Sequence, residues 1–261
     1  MKQNYHMHSL FSDGKAPMEA MMGAAVAAGI THAAATDHHD LLLDDYRIGD
    51  PAAYTATVDR CRQLYPQLQI ARGLEVDYRP ETWQAMQEQL PLFGLDFILL
   101  SLHFIDGVDP ATAAYFEGRT QQQGYRLYLE RLAQMLRRVD GPFVLGHITY
   151  VSKFIPFQDT VLRHSDYPDE LDTVLRLAVQ KGFGIEINSS GLRNSAGLLP
   201  GVDIVRRYRE LGGEILTLGS DCHHVEHVDF GLNEAHEAAL AAGFRHLAVY
   251  RDQKPEFLPI Q

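Results

Sequence analysis

Short apolar runs and longer segments of mixed polarity alternate along this chain, regularly enough to predict its elements. Runs at residues 3–8, 32–36, 68–75, 96–101, 142–147, 183–188 and 214–219 read as strands. Several are apolar along their length, as strands covered on both faces should be. Helical spacing fills the intervals at 18–28, 52–65, 81–90, 122–138, 169–181, 202–211 and 233–242. Gly29, Gly182, Gly212 and Gly243 stand where helices should stop, the place where glycine's left-handed conformation is useful. Seven βα units result, followed by a short apolar tail, Leu247-Ala248-Val249-Tyr250. Continuous alternation of this kind predicts an α/β fold with a parallel sheet.

Nearly every predicted strand ends on a residue able to hold a metal. His6 and His8 close the first run, Asp13 follows in Ser12-Asp13-Gly14, and His38 lies just past the second. Glu75, His103 and His147 end the next three, and Asp221 and His223 follow the last in Gly219-Ser220-Asp221-Cys222-His223. An open sheet has trouble bringing all its strand ends to one point, whereas a barrel gathers them into one cup. The pattern therefore predicts a TIM-barrel-like closure with a metal site at the C-terminal ends of the strands. In extended chain, residues i and i+2 project to the same side, so His6 with His8, and Asp221 with His223, can each present two ligands to one point. Six His, two Asp and one Glu exceed what one ion requires. A bridging carboxylate, for which Glu75 is the candidate, would let two or three ions share them. Imidazole with carboxylate suits Zn, Mn or Fe, and no cysteine cluster suggests a structural zinc. Clustered ions can generate a hydroxide nucleophile and clamp the oxygens of an in-line displacement.

Composition narrows the remaining choices. With 261 residues, 46% of them apolar and 22% charged, the chain suits one α/β barrel over residues 1–261. A formal net charge of −11 with scattered Lys and Arg argues against a nucleic-acid partner. Bound divalent ions would cancel part of that charge, so a phosphorylated substrate is not excluded. No apolar run reaches the ~18 residues of a membrane span, no signal-peptide pattern opens the chain, and Cys61 and Cys222 are too few for a disulfide framework. A cytoplasmic protein without a membrane partner is expected. No glycine-rich phosphate loop appears, so no organic cofactor is indicated.

The motifs, in this order, resemble the PHP (polymerase and histidinol phosphatase) superfamily of metal-dependent phosphoesterases. The resemblance runs from Tyr5-His6-Met7-His8-Ser9 to Gly219-Ser220-Asp221-Cys222-His223. It implies a distorted (β/α)7 barrel. It also implies that His6, His8, Glu75 and Asp221 hold one ion, Glu75, His103 and His147 a second, and Asp13, His38 and His223 a third. The segments Glu186-Ile187-Asn188-Ser189-Ser190-Gly191-Leu192-Arg193, Ser101-Leu102-His103-Phe104-Ile105-Asp106-Gly107 and Gly146-His147-Ile148 look most like the histidinol-phosphate phosphatases of histidine biosynthesis. On that likeness the chain is a phosphomonoesterase, with Glu75, Asp221 and Arg193 catalytic. Arg193 would anchor phosphate through its planar fork. The basic-rich segment expected after Gly146-His147 is reduced to Lys153 and, farther on, Arg163, the two candidates for a second phosphate ligand. Alternatives are a PHP phosphoesterase acting on other small phosphate esters, nucleotides or oligonucleotides, and a non-enzymatic metal-binding module.

Two long connections, residues 104–120 and 148–168, leave the predicted catalytic face and are expected to wall or cover the site. Phe104, Tyr115 or Tyr150 could receive the imidazole half of the substrate. His39, His224 and His227 flank the ligands, and His164 lies in the second loop. Asp37 either orients His38 or caps a loop, and Cys222 should point away from its two neighbours. Ser9 and Ser12 have no base-and-orienter arrangement that would make either a nucleophile.

Overall fold

The computed structural model describes residues 1–153, 157–194 and 196–260. Its centre is a parallel sheet in the order β1 (Gln3–Asn4), β2 (His32–Ala35), β4 (Gln69–Asp77), β5 (Phe97–Ser101), β6 (Val144–Leu145), β7 (Gly184–Asn188) and β8 (Leu216–Gly219). The two-residue β3 (His38–His39) pairs with the end of β4, setting His38 opposite Glu75. The sheet closes where residues 5–8 run beside β8. Tyr5 N donates to Leu218 O at 2.7 Å, Asp221 N to His6 O at 2.9 Å and His8 N to Cys222 O at 3.0 Å. Helices α1 (Met18–Ala27), α2 (Pro51–Leu64), α3 (Trp83–Gln89), α4 (Gln121–Arg138), α5 (Pro168–Gln180), α6 (Val202–Glu210) and α7 (Leu232–Ala241) follow the strands in turn. This is the distorted seven-unit barrel, every helix lying within two residues of its predicted span.

Local chemistry accounts for several boundaries. Asp50 accepts from Ala53 N and Pro51 takes the first helical position of α2, both favoured at a helix start. Thr120 and Gln123 form a reciprocal capping box at α4, while Arg137 and Arg138 occupy its last turn, where cations complement the helix dipole.

The regular ladders are clearly shorter than the apolar runs at three places, two of them on the side of the site. The run at 3–8 keeps only Gln3–Asn4 in the ladder, that at 142–147 only Val144–Leu145, and that at 214–219 begins at Leu216. His147 has φ +22° and Asp221 φ +51°, values that take a non-glycine residue out of extended pairing and are found where function over-determines the backbone.

Alternation divides the core in two. Outward residues such as Ile98, Leu100, Ile185 and Leu218 pack against the helices. Inward residues Tyr5, Ala34, Ala71, Phe97, Leu99 and Val144 form a second cluster that fills the barrel with Ala248, Val249 and Tyr250. The predicted apolar tail is therefore strand β9 (His246–Arg251), hairpinned through Asp252 and Gln253, both at positive φ, to β10 (Lys254–Pro259). Strand β10 escaped the sequence pattern because Lys254-Pro255-Glu256-Phe257-Leu258-Pro259 carries two prolines, which read against a strand and are tolerated at an edge. Gln3 Nε2 donates to Ala248 O at 2.7 Å and Tyr250 N to Tyr5 Oη at 3.1 Å, fastening the hairpin across the barrel's N-terminal end.

Candidate metal centre

All nine sequence-predicted ligands meet at the other end. Glu75 Oε1 lies 3.0 Å from His147 Nε2 and 3.3 Å from His103 Nε2, while its Oε2 lies 3.0 Å from both His6 Nε2 and His38 Nδ1. One buried carboxylate thus faces two groups of imidazoles, as a bridging ligand must. His8 Nε2 lies 3.3 Å from Asp221 Oδ1, and His223 Nε2 lies 3.0 Å from Asp13 Oδ2. Donor atoms close enough to share an ion fall into four overlapping groups among the described residues: His8, Asp13, His38 and His223; His6, His147 and Asp221; His6, His8 and Glu75; and His38, Glu75 and His103. The last places His38 beside Glu75 as well as beside Asp13, a wider reach than the family pattern gives it.

The donors have the chemistry of a cation site. His8 is fully buried, yet its Nδ1 finds no hydrogen-bond partner among the described residues, and neither does His147 Nδ1 or Asp13 Oδ1. Burial, with His223 nearby, pushes the His8 imidazole down to about 4, so at neutral pH it offers lone pairs. Burial alone would raise Glu75, but His6, His38 and His103 outweigh it and hold the carboxyl well below its usual range. His103 would be lowered by burial, yet Glu75 and Asp77 lift it to about 9. Unpartnered buried polar atoms cost free energy unless something coordinates them, and a small group of divalent ions suits these nitrogens and oxygens.

Outside the donors, a web of buried polar groups fixes the geometry. Glu186 Oε1 lies 2.8 Å from His6 Nδ1, and its Oε2 accepts from His147 N at 3.0 Å and Asn188 Nδ2 at 3.1 Å. Ser101 Oγ donates to Glu75 Oε1 at 2.7 Å. A Cβ on Gly219 would stand 2.1 Å from Glu186 Oε1 and 2.4 Å from His6 Cβ, so only glycine leaves room for that pair. Asp77 Oδ1 accepts from His103 N at 2.9 Å, while Arg79 bonds Asp40 at 2.8 Å and lies 2.7 Å from Asp77. The Arg79 guanidinium stacks 3.7 Å from the Phe104 ring. Of these supporting groups only Phe104 was singled out from sequence; Asp40, Asp77, Arg79, Ser101, Glu186 and Asn188 were not. Glu186 and Asn188 had a legible signal, two polar side chains inside the otherwise apolar Gly184-Ile185-Glu186-Ile187-Asn188, since a buried polar group is the informative exception.

All the donors but the buried His6 and His8 floor a cavity of about 430 Å³ whose walls include Tyr46, Phe104, Asp109, Tyr150, Lys153 and Arg193. The family model of the PHP domain matches residues 4–190. The chain belongs to the PHP family. A probable histidinol-phosphatase of Thermotoga maritima is 27% identical over 249 residues, covering 94% of each chain. The histidinol-phosphatase of Lactococcus lactis subsp. lactis is 24% identical over 259 residues, 97% of this chain and 96% of that one. The crystal structure of a histidinol phosphate phosphatase from the same organism, complexed with zinc, L-histidinol and phosphate, matches with a TM-score of 0.89 at 22% identity over 98% of both chains.

Within this PHP barrel the other expectations divide. Both long loops reach the cavity, the first through Phe104 and Asp109 and the second through Tyr150 and Lys153; residues 154–156 of the second lie outside the described residues. Lys153 Nζ is 2.5 Å from Asp221 Oδ2. Arg193 Nη2 donates to Ser220 O at 3.0 Å and Asp221 O at 2.8 Å, so the guanidinium is held by carbonyls beside a ligand. Arg163 requires correction. It does not line the cavity, and its exposed side chain pairs with Asp159 four residues earlier in the same loop, a local surface contact of the weak kind. Tyr115 is also misplaced, being buried with its hydroxyl on Gly124 O.

His39, His224 and His227 do line the rim, whereas His164 binds Asp172 away from it. Asp37 resolves as a loop fastener, accepting from Ser9 N, Ser9 Oγ and Ser12 Oγ. Those same bonds commit both serines to structure. Cys222 points outward into the helix-facing core.

Proposed function

We propose that this PHP protein is a metal-dependent phosphomonoesterase whose substrate is L-histidinol phosphate, released as L-histidinol and phosphate. The observation that carries the reading is the convergence of nine donors, seven of them lining one cavity with Arg193 and Lys153 in its wall. The full-length likeness to histidinol-phosphatases supports the substrate.

Two to three ions, Zn, Mn or Fe, would be held by His6, His8, Glu75 and Asp221, by Glu75, His103 and His147, and by Asp13, His38 and His223. When bound, such ions lower the pKa of water and neutralise phosphoryl charge. The chain's own contribution is positioning. Glu75 and Asp221 hold the two halves of the donor set in one frame. Arg193, anchored by two carbonyls, offers a preorganised fork to phosphoryl oxygens. Lys153, drawn to Asp221, adds a second cation that can turn from that carboxylate to a phosphoryl oxygen as the substrate enters.

The cationic half of the substrate has a matching wall. Asp40 and Asp77 share Arg79, whereas among the described residues the Asp109 carboxylate accepts only from neutral donors, Tyr150 Oη at 3.3 Å and Ala111 N at 2.8 Å. Its charge is left to attract an ammonium or imidazolium between Phe104 and Tyr150. Asp221 and His223 lie beyond the family match, so we take residues 1–261 as one catalytic unit. Among the described residues no helix is long and apolar enough to cross a membrane. Cys61 and Cys222 are buried and unpaired, as suits a protein of the reducing cytoplasm. Phosphate release from histidinol phosphate, run beside sugar phosphates and nucleotides, tests the assignment. The expected result is a kcat/KM for histidinol phosphate at least ~10-fold above the others, the span of one well-matched charged contact; a higher value on nucleotides would refute it.

A further inference from the structure

We infer that Glu186 is a positioning residue that holds the proton of His6 on Nδ1, so that Nε2 presents its lone pair to the metals; this rests on the metal-dependent reading above. Glu186 sits in the middle of β7, fully buried. Three nitrogens converge on its two oxygens: His6 Nδ1 on Oε1, and His147 N and Asn188 Nδ2 on Oε2. The backbone N–H of His147 can only donate. Asn188 is oriented independently, because its Oδ1 accepts from Ser190 N at 2.9 Å, which leaves its amino group facing Glu186 and His6.

The remaining choice is the tautomer of His6. An unprotonated Nδ1 would set a lone pair 2.8 Å from a carboxylate oxygen, a repulsion that the Asn188 amino group, farther off at 3.2 Å and already donating to Glu186, does not offset, so the proton belongs on Nδ1. Nε2, 3.0 Å from Glu75 Oε2, is then the ligating nitrogen. The same carboxylate ties the His147 backbone at its positive φ, so one side chain aligns ligands from two strands. The room is purpose-built, since any side chain at Gly219 would strike both Glu186 and His6.

Only an anion with acceptors on both oxygens satisfies this arrangement. In Glu186→Gln, the amide oxygen would face His147 N and Asn188, and the amino group would face His6 Nδ1. That nitrogen would become an acceptor and the proton would move to Nε2, toward the metals. The isostere keeps volume and shape, so its effect separates proton placement from packing.

The test uses the zinc-loaded full chain. Imidazole 15N NMR of the unsubstituted protein should show His6 protonated at Nδ1 and zinc-shifted at Nε2. Chelator competition should then show the weakest-held zinc of Glu186→Gln bound ~10–100-fold less tightly, the usual loss when a carboxylate behind a ligating His is removed. Asn188→Ala, which leaves the Glu186–His6 bond in place and removes only the amide beside it, should lose less zinc affinity than Glu186→Gln, since the His6 tautomer is unchanged. Zinc affinity unchanged in folded Glu186→Gln, or His6 carrying its proton on Nε2 in the parent, would overturn the inference while leaving the metal reading intact. A parent that binds no zinc would overturn both. If Glu186→Gln does not fold, the spectrum of the parent decides alone.

Discussion

The two ends of the barrel are made from the same strands, and their inward side chains change character within four residues. On β4, Ala71 faces the hairpin plug and Glu75 faces the cavity; on β5, Phe97 does the first and Ser101 the second. At the N-terminal end, Tyr5 packs edge to face on Phe97 and Tyr250 packs on it at a tilt, with ring centres 5.0 Å apart in each pair. At the C-terminal end the buried groups are imidazoles and carboxylates, some without a partner. One end lowers the free energy of the fold by removing apolar surface from water. The other accepts the cost of dehydrated polar groups because their convergence makes a site. Separating the two along the strands lets the apolar end carry stability while the polar end stays preorganised.

Substitutions at each end should therefore fail differently. Glu75→Gln should lower kcat/KM by on the order of 1000-fold or more, as expected for a member of a group acting as a unit. It should also release more than one ion, because its two oxygens face different imidazoles. Loss of a single ion by elemental analysis, with the rest undisturbed, would show that Glu75 does not bridge. At the opposite end, Phe97→Ala should destabilise the protein by about 3–5 kcal/mol, the range for deleting a buried aromatic ring. Activity per folded molecule should hold within about twofold, since the ring sits ~13 Å down the strand from Ser101. Denaturant melts paired with kinetics would reveal the reverse pattern if the two ends are not separable.

Smaller effects sharpen the division within the polar end. Arg193→Ala should reduce kcat/KM by ~10–1,000-fold while metal content is retained, from loss of a charge-assisted bond worth about 1.5–3 kcal/mol plus its transition-state share. Near-normal kinetics would place the phosphate elsewhere. Arg163→Ala should change kcat/KM by less than about twofold, because an exposed pair with Asp159 contributes little; a tenfold loss would return it to the site.

The same contrast explains what could be read in advance. Element order, barrel closure and all nine donors were legible, because apolar runs report burial and His, Asp and Glu at strand ends report convergence. Arg163 and Tyr115 were misplaced because loop residues have no periodicity to fix their direction; only coordinates show one reaching Asp159 and the other Gly124. Glu186 and Arg79 were passed over because partners 39 or more residues away define their roles. Strand β10 was hidden by its prolines, which signal avoidance of pairing even where an edge strand accepts them.

Metal content measured on the same sample as its activity tests the central claim most directly. Purified protein, mildly loaded with divalent metal and assayed on histidinol phosphate, should carry two to three ions per chain at full activity, since Glu75, His6, His8 and His38 each belong to more than one donor group. Full activity at a consistent one ion per chain would contradict the clustered centre on which this account depends.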